Sequence, residues 1–267
     1  MERKNIVEVM QEAGTNPAIE YMRLHDMFYK FSYASNDSVT LHDACNDSFW
    51  DMPFRGTCIS LGDYDDFYGF WFENNPQYLD FNELLLFCEY SYNLLRYAKN
   101  TRNGIYVEEP RRIYFDQLFK VVDKIGYTFV QSSGDVSILI PKDAAVISVA
   151  EVTDTSIANM VLEYNHHALK GNLTKKKTIL KFLADDMEPQ KKILASINNT
   201  LCNNLFQMFH KFIRHNNDDN PVISVMTKDE IETCYDDMYQ MWLLAKLEID
   251  NVERKQRVIA ILQQINS

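Results

Sequence analysis

The sequence predicts a mainly α-helical protein, with an antiparallel helical bundle in its C-terminal half, a helical N-terminal half and one small β-hairpin insert. The first observation is composition, because 267 residues contain only 8 glycines and 7 prolines but 15 tyrosines and 16 phenylalanines. Few chain breakers and many large side chains favour packed helices over a turn-rich β fold. The other two observations are a helical spacing of apolar residues after residue 154 and a single pair of strand-like runs.

Residues 1–105 are predicted to form an acidic, aromatic-rich helical region. Asn16-Pro17 begins a helix that continues to Tyr33, because proline suits the first turn of a helix. Two more helices are predicted, at 41–51 and, with Asp80 as the N-cap, from Phe81 to Lys99.

The segment 53–77 lies between these helices and contains many aromatic residues. Its aromatic side chains are too dense for a flexible linker, so it is predicted to be a loop pinned to the core. Its carboxylates, in the run Asp63-Tyr64-Asp65-Asp66, lack the glycine and distal glutamate of a calcium-binding loop. No metal site is therefore predicted here.

Residues 106–150 are predicted to form a helix followed by the β-hairpin. Glu109-Pro110 begins the helix, which ends near Ile125 and is closed by Gly126. Two β-branched and aromatic runs, 127–130 and 136–140, then flank a Ser/Gly/Asp turn, which is typical of a hairpin.

Residues 151–267 are predicted to form the bundle. A long helix beginning at Glu188-Pro189 carries apolar residues at close to 3.6-residue spacing over five turns. These residues are Leu194, Ile197, Leu201, Leu205, Met208, Phe209 and Phe212. After a loop that ends at Pro221, two more helices are predicted, at about 231–249 and 252–265, and short connections make such neighbours antiparallel.

Several functional classes are excluded by what the sequence lacks. No apolar run follows the N-terminus as in a secretory signal, and no window is long enough to cross a membrane. The five cysteines are odd in number and scattered, which is typical of reduced thiols in a cytoplasmic protein and not of a disulfide framework or zinc site. No cofactor motif is present, so none is predicted.

The charge of the chain is unevenly distributed. The formal net charge is −11, yet the segment 170–215 carries eight lysines and one arginine against three acids. One interpretation is a solvated helix face. The other is a local surface for RNA or another anion, formed by Arg214 and a lysine cluster. The cluster comprises Lys175, Lys176, Lys177 and Lys181.

The most informative feature is the polar run Arg214-His215-Asn216-Asn217 at the end of the long helix. At 100° per residue, Arg214 shares a polar face with His210, Asn203 and Gln207, while His215 points toward the core. Arginine holds phosphate with paired hydrogen bonds and histidine titrates near neutrality, so this run suits chemistry on RNA. The alternative is a helix C-cap, in which Arg214 interacts with the helix dipole.

The run Phe209-His-Lys-Phe-Ile-Arg-His-Asn-Asn217, late in a helical bundle, resembles the HEPN superfamily of bacterial abortive-infection and toxin systems. The resemblance covers roughly residues 154–267. The family motif has an arginine, a polar residue and a histidine four to six positions after the arginine. Arg214 and His215 match the first two positions, but Asp218, Asp219 and Asn220 stand where the second histidine belongs.

Three functions remain open at this point. The resemblance implies a HEPN-like interaction or regulatory protein in a bacterial defence or toxin–antitoxin system, acting with a protein partner or as a homo-oligomer. The first alternative is a metal-independent endoribonuclease that uses Arg214 with His215, His210 or His167. The second is a protein that binds RNA or another anion without catalysis, through Arg214 and the lysine cluster.

Overall fold

The computed structural model describes residues 16–30, 39–70, 79–99, 101–102, 105–132, 135–214 and 223–265. The predicted mainly α-helical fold is confirmed. The chain divides into two compact units, Met1–Lys142 and Asp143–Ser267, so the helix and hairpin predicted at 106–150 belong to the first unit up to Lys142. Among the described helices, none is long and apolar enough to cross a membrane.

The described residues of the first unit form five α-helices. They are α1 (Pro17–Tyr29), α2 (Leu41–Asn46), α3 (Leu61–Tyr68), α4 (Phe81–Tyr97) and α5 (Glu108–Lys124), with a short 3₁₀ turn at Phe49–Asp51. The predicted starts of α1 and α4 are confirmed. Asn16 accepts hydrogen bonds from the first turn of α1, and Asp80 accepts one from the Glu83 amide at 3.0 Å. Side-chain acceptors of this kind satisfy N–H groups that have no partner inside the helix.

Helix α3 corrects the prediction of a loop at 53–77. Ser60 caps its first turn by accepting a hydrogen bond from the Asp63 amide, and Gly69 ends it at a φ of +73°. The predicted attachment to the core is confirmed for Tyr64 and Phe70, which are buried. Residues 71–78 lie outside the described part of the chain.

Aromatic side chains dominate the core of the first unit. The rings of Phe70 and Tyr90 lie 4.7 Å apart, one of many such pairs. Asp65 is enclosed by this cluster, where it contacts the His42 ring at 2.7 Å and accepts a hydrogen bond from the Tyr90 hydroxyl. Burial raises the pKa of Tyr90 well above its ordinary value, so the hydroxyl keeps its proton and acts as a donor. The carboxylate is thus used structurally.

Two strand pairs are also present in the described part of the first unit. A short pair, β1 (Thr101–Arg102) and β2 (Ile105–Tyr106), was not predicted. The predicted hairpin is confirmed as β3 (Tyr127–Gln131) and β4 (Ser137–Pro141), antiparallel with Phe129 opposite Leu139.

Side chains of α4 bind the outer edge of β4. The Asn93 amide accepts a hydrogen bond from the Ser137 N–H and donates one to the Ser137 carbonyl, both at 2.8 Å. Glu89 accepts the hydrogen bond donated by the Leu139 amide. A buried strand edge needs such partners because unpaired backbone groups are costly away from water. We call Asn93 and Glu89 the hairpin clamp.

The second unit is a helical bundle. Its helices are α6 (Ala144–Val152), α7 (Thr155–Tyr164), α8 (Leu173–Met187), α9 (Lys191–Ile197), α10 (Asn199–Met208) and α11 (Lys228–Ile265). Helix α6 was missed by the sequence analysis. Helix α11 packs against α6, α8, α9 and α10, and the buried Trp242 on it donates a hydrogen bond to the Leu183 carbonyl at 2.9 Å. Helix α11 is a single helix, whereas the sequence predicted two, at about 231–249 and 252–265.

The long helix predicted from Glu188 to His215 is wrong as a single element. A 3₁₀ turn, Glu188–Gln190, precedes α9. The chain then leaves the helical conformation at Asn198. The Asn198 side chain caps α10 by accepting a hydrogen bond from the Leu201 amide at 3.0 Å. The last part, Phe209–Arg214, is a π-helix with wider turns. Apolar spacing continues through all three pieces, which is why periodicity alone did not show the breaks.

Candidate functional site

A surface pocket lies beside α10 and the π-helical turn. Its volume is about 280 Å³. The residues that line it are Lys191, Asn203, Phe206, Gln207, His210 and Lys211. We call it the α10 pocket. Asn203, Gln207 and His210, which the sequence predicted to share a polar face with Arg214, all line this pocket. All three side chains are exposed.

Lys191 reaches this pocket because the chain turns at Asn198. In an unbroken helix, Lys191 and Phe206 would lie about 22 Å apart along the axis. The break instead packs α9 against α10 and places the Lys191 ammonium 4.4 Å from the centre of the Phe206 ring. Cation and ring attract each other at this distance. The spacing of residues in the sequence did not indicate that Lys191 belongs to this pocket. Phe206 and Lys211, in contrast, are adjacent in sequence to residues of the predicted polar face.

The lining of the α10 pocket favours an anionic ligand. Two lysines and a histidine line it together with two neutral amides and an aromatic ring, and the described part of the chain contributes no carboxylate to the lining. Ammonium groups attract phosphate, amides hydrogen-bond in both directions, and an aromatic ring offers a surface for stacking. The combination matches the chemistry of a nucleotide.

A second pocket, in the first unit, is larger but less suited to anions. Its volume is about 520 Å³, and Arg96, Arg111 and Arg112 lie in its wall beside Glu108 and Asp116. Arg111 donates to the Ala98 carbonyl at 2.7 Å, and Arg112 pairs with Asp116 at 3.1 Å. These guanidinium groups are already bound by protein oxygens, so the α10 pocket is the better candidate.

Arg214 is not among the residues that line the α10 pocket. Its guanidinium contacts Glu188 at 2.6 Å and lies 3.9 Å from Asp185. The prediction that Arg214 shares a face with His210 assumed a rotation of 100° per residue. The π-helix at Phe209–Arg214 has wider turns, so that angle no longer applies. His215, Asn216 and Asn217 lie outside the described residues, so the inward orientation predicted for His215 stays a prediction.

We expect Arg214→Ala to lower the free energy of unfolding by less than about 1 kcal/mol, because exposed ion pairs are weak. Arg214 and Glu188 are 40% and 46% exposed. Urea denaturation measures the change, and Lys246→Ala is the matched comparison. Lys246 pairs with Asp186 at 2.9 Å and both side chains are largely buried, so its removal should cost more. Equal losses would contradict this ranking.

The lysine cluster is divided by the structure. Lys176 is buried, and its ammonium lies 2.7 Å from both Glu232 and Asp236. For this residue both interpretations, a solvated face and an anion-binding surface, are wrong, because α11 covers it. Lys175 is paired with Glu163 at 2.5 Å, Lys177 is half-buried, and Lys181 is exposed.

The cluster around Lys176 is a charged element of the bundle core. Burial raises the pKa of Tyr164, which keeps its proton and donates a hydrogen bond to Asp236 at 2.9 Å. Burial also acts to raise the pKa of Glu232, but Lys176 and the Gly171 N–H outweigh it and hold the pKa below the ordinary value of 4.5. The arrangement holds α8 to α11.

His167, the other histidine considered for catalysis, lies in the short 3₁₀ turn His167–Leu169 beside His166, with the two rings 4.5 Å apart. It is not among the residues that line the α10 pocket. His210 is therefore the histidine that the pocket contains.

Comparison of the chain with protein-family models, with curated proteins and with solved structures finds no match. The resemblance to the HEPN superfamily stays a prediction from the short motif at Arg214 and His215. What the described residues define is a two-unit helical protein with a basic, aromatic pocket in its second unit.

Proposed function

We propose that the protein binds single-stranded RNA through the α10 pocket and does not cut it. The observation that carries this proposal is the grouping of Lys191, His210 and Lys211 with Phe206 in one pocket, with no carboxylate among the described residues that line it. Single-strand binders combine cations that follow the phosphates with aromatic rings on which bases stack. Single-stranded RNA presents both groups to a pocket of this kind.

Each lining residue has a role in this proposal. Lys191 and Lys211 bind consecutive phosphates, and Phe206 stacks against a base. Asn203 and Gln207 hydrogen-bond to base edges or ribose hydroxyls, because a side-chain amide is both donor and acceptor. The net charge of −11 disfavours binding of a polyanion over the whole surface, which is why we assign binding to this local patch.

The proposal agrees with the non-catalytic form of the HEPN-like resemblance. The endoribonuclease considered as the alternative uses Arg214 and a histidine on one phosphate, and Arg214 is engaged by Glu188 and is not among the described residues that line the pocket. We place this activity in the cytoplasm, and we propose that RNA binding serves a regulatory role with a protein partner or a second copy of the chain.

Fluorescence anisotropy with a short labelled single-stranded RNA tests the pocket. We expect Lys191→Ala and Lys211→Ala to weaken binding by about three- to tenfold each, and the double variant by more than about tenfold, since 1.4 kcal/mol corresponds to a factor of ten. Each variant should also reduce the salt dependence of binding, because one fewer phosphate contact releases fewer counterions. Lys192→Ala is the control, because Lys192 is exposed on the same helix but is not among the pocket residues.

Two results would contradict the proposal. Equal weakening by Lys192→Ala would show that only overall charge matters, and a loss confined to Lys181→Ala would move the site to α8. The same reactions in EDTA, analysed on a denaturing gel, are expected to leave the RNA intact. Cutting that disappears in His210→Ala would instead identify the metal-independent endoribonuclease.

A further inference from the structure

The short helix α9 carries Lys191 and depends on its neighbours for its position. It spans only Lys191–Ile197, and helices shorter than about 12 residues are marginal on their own. Within α9, Leu194 is the buried side chain, so little of the helix is fixed by apolar packing. The way in which its two ends are held therefore decides where the Lys191 ammonium lies.

Helix α11 holds the chain on both sides of α9. Lys246 pairs with Asp186 at 2.9 Å, close to the end of α8 and just before the 3₁₀ turn that leads into α9. Two residues further along α11, Glu248 accepts a hydrogen bond from the Asn198 side chain at 3.1 Å. Asn198 is the residue at which α9 ends and α10 begins. One helix thus fixes the entry to α9 and its exit.

The hydrogen bonds of Asn198 define the orientation of its amide. Its oxygen accepts from the Leu201 N–H at 3.0 Å, and a backbone N–H only donates, so the NH₂ group faces Glu248. The second carboxylate oxygen of Glu248, Oε2, is buried and has no hydrogen-bond partner among the described residues. The bond from Asn198 is therefore the described polar contact that holds this carboxylate, and it ties the turn between α9 and α10 to α11.

We infer that Glu248 is a positioning residue for the α10 pocket. Through Asn198 it fixes the turn that places the Lys191 ammonium 4.4 Å from the centre of the Phe206 ring. Glu248 is not among the described residues that line the pocket, so it acts through Asn198 and Lys191. This inference rests on the proposed RNA binding, but the placement of Lys191 is also measurable without RNA.

Charge alone predicts the opposite effect of Glu248 on RNA binding. Glu248 is an acid in the unit that is proposed to bind a polyanion, so removing its charge would strengthen binding if repulsion were its main contribution. Loss of the hydrogen bond to Asn198 instead frees the turn, and Lys191 then spends less time at the pocket. The sign of the change in affinity separates positioning from a charge effect.

Fluorescence anisotropy with the same labelled RNA measures that sign. We expect Glu248→Ala to weaken binding by about three- to tenfold, as expected for Lys191→Ala, because the Lys191 contact is lost indirectly. Glu248→Gln keeps an oxygen acceptor for Asn198 and should bind RNA at least as tightly as wild type. Glu253→Ala is the control, because it removes an acid from an exposed position of the same helix, and it should not weaken binding.

A double variant distinguishes positioning from a general loss of stability. In the Glu248→Ala background, Lys191→Ala should weaken binding by less than about twofold, because the ammonium has already left the pocket. If Glu248→Ala only unfolded a fraction of the protein, Lys191→Ala would still weaken binding by the folded molecules about three- to tenfold. That result would contradict the positioning role.

Asn198 offers a second variant that keeps the helix cap. Asn198→Asp preserves the acceptor for the Leu201 N–H but sets two carboxylates against each other, so it should weaken RNA binding. Adding Glu248→Gln supplies a donor in place of the lost one, and the double variant should regain affinity. No recovery would count against the hydrogen bond between these two residues as the positioning contact.

The placement of Lys191 is tested without RNA by the nuclear Overhauser effect between the Lys191 side chain and the Phe206 ring. We expect this signal in wild type and in Glu248→Gln, and its loss in Glu248→Ala. If the signals behave so but Lys191→Ala leaves RNA binding unchanged, the proposed function fails and the positioning role stands. A signal that persists in Glu248→Ala, its absence from wild type, or a Lys191-dependent affinity that Glu248→Ala does not weaken would each overturn the inference.

Discussion

Replacing Lys176 with methionine is expected to lower the free energy of unfolding of the second unit by about 2–3 kcal/mol. The ammonium of Lys176 lies 2.7 Å from both Glu232 and Asp236, and methionine leaves the two carboxylates facing each other without a cation. Breaking a fully buried pair costs about 3–5 kcal/mol. The loss here is smaller because Glu232 and Asp236 are 17% and 31% exposed and remain partly hydrated.

Hydrogen–deuterium exchange of α8 and α11 measures this loss within the second unit. Lys181→Met, an exposed lysine on the same helix, is the matched control and should change stability by no more than about 0.5 kcal/mol. Adding Glu232→Gln and Asp236→Asn to Lys176→Met should recover part of the stability, because no charge is then left unpaired. If Lys176→Met behaved like Lys181→Met, the cluster would have no stabilising role.

The effect of Lys176→Met should also depend on pH. The pKa of Glu232 is lowered in the folded protein, so the folded state binds fewer protons than the unfolded chain at this group. The stabilisation is therefore complete above the unfolded pKa near 4.5 and is lost as the pH falls through the lower folded pKa. Wild type and Lys176→Met should approach each other in stability below about pH 4. A constant difference from neutral pH to that range would contradict this linkage.

Replacing Asn93 with leucine is expected to destabilise the hairpin of the first unit by about 2–4 kcal/mol. The Asn93 side chain pairs with both the N–H and the carbonyl of Ser137, and all of these groups are buried. Leucine fits the buried volume but leaves two backbone groups without partners, at about 1–3 kcal/mol each. Part of that cost is offset by burial of the apolar side chain.

Hydrogen–deuterium exchange of the backbone amides in β3 and β4 measures the stability of the hairpin directly. In Asn93→Leu the Ser137 amide should exchange fastest relative to wild type, because it loses its acceptor. Asn82→Leu is the control, since Asn82 is exposed on the same helix, and it should leave the hairpin unchanged. Similar exchange in both variants would show that the clamp does not hold β4.

Much of the local structure followed from short-range chemistry in the sequence. Asn16 and Asp80 were identified as helix starts because a side-chain acceptor at an N-cap acts within three residues of itself. The hairpin followed from two strand-like runs around a turn. Helix α3 was missed because eight residues are too few for helical spacing to stand out among dense aromatics.

The candidate site was predictable only in part. Asn203 and Gln207 lie on α10 and His210 lies in the π-helical turn directly after it, so residue spacing alone grouped them. Lys191 belongs to the site through the turn at Asn198, and Arg214 is drawn to Glu188 after the π-helical turns. Neither contact follows from a regular spacing of residues in the sequence, so neither could be predicted from it.

The same division holds for the whole molecule. Composition and apolar spacing determined the mainly helical class and the main polar face of α10, because these depend on neighbours within one or two turns. The burial of Lys176, the arrival of Lys191 at the pocket and the pairing of Arg214 depended on tertiary structure. Each results from packing between separate helices, and which residues meet there depends on their proximity in space and not on their separation in the sequence.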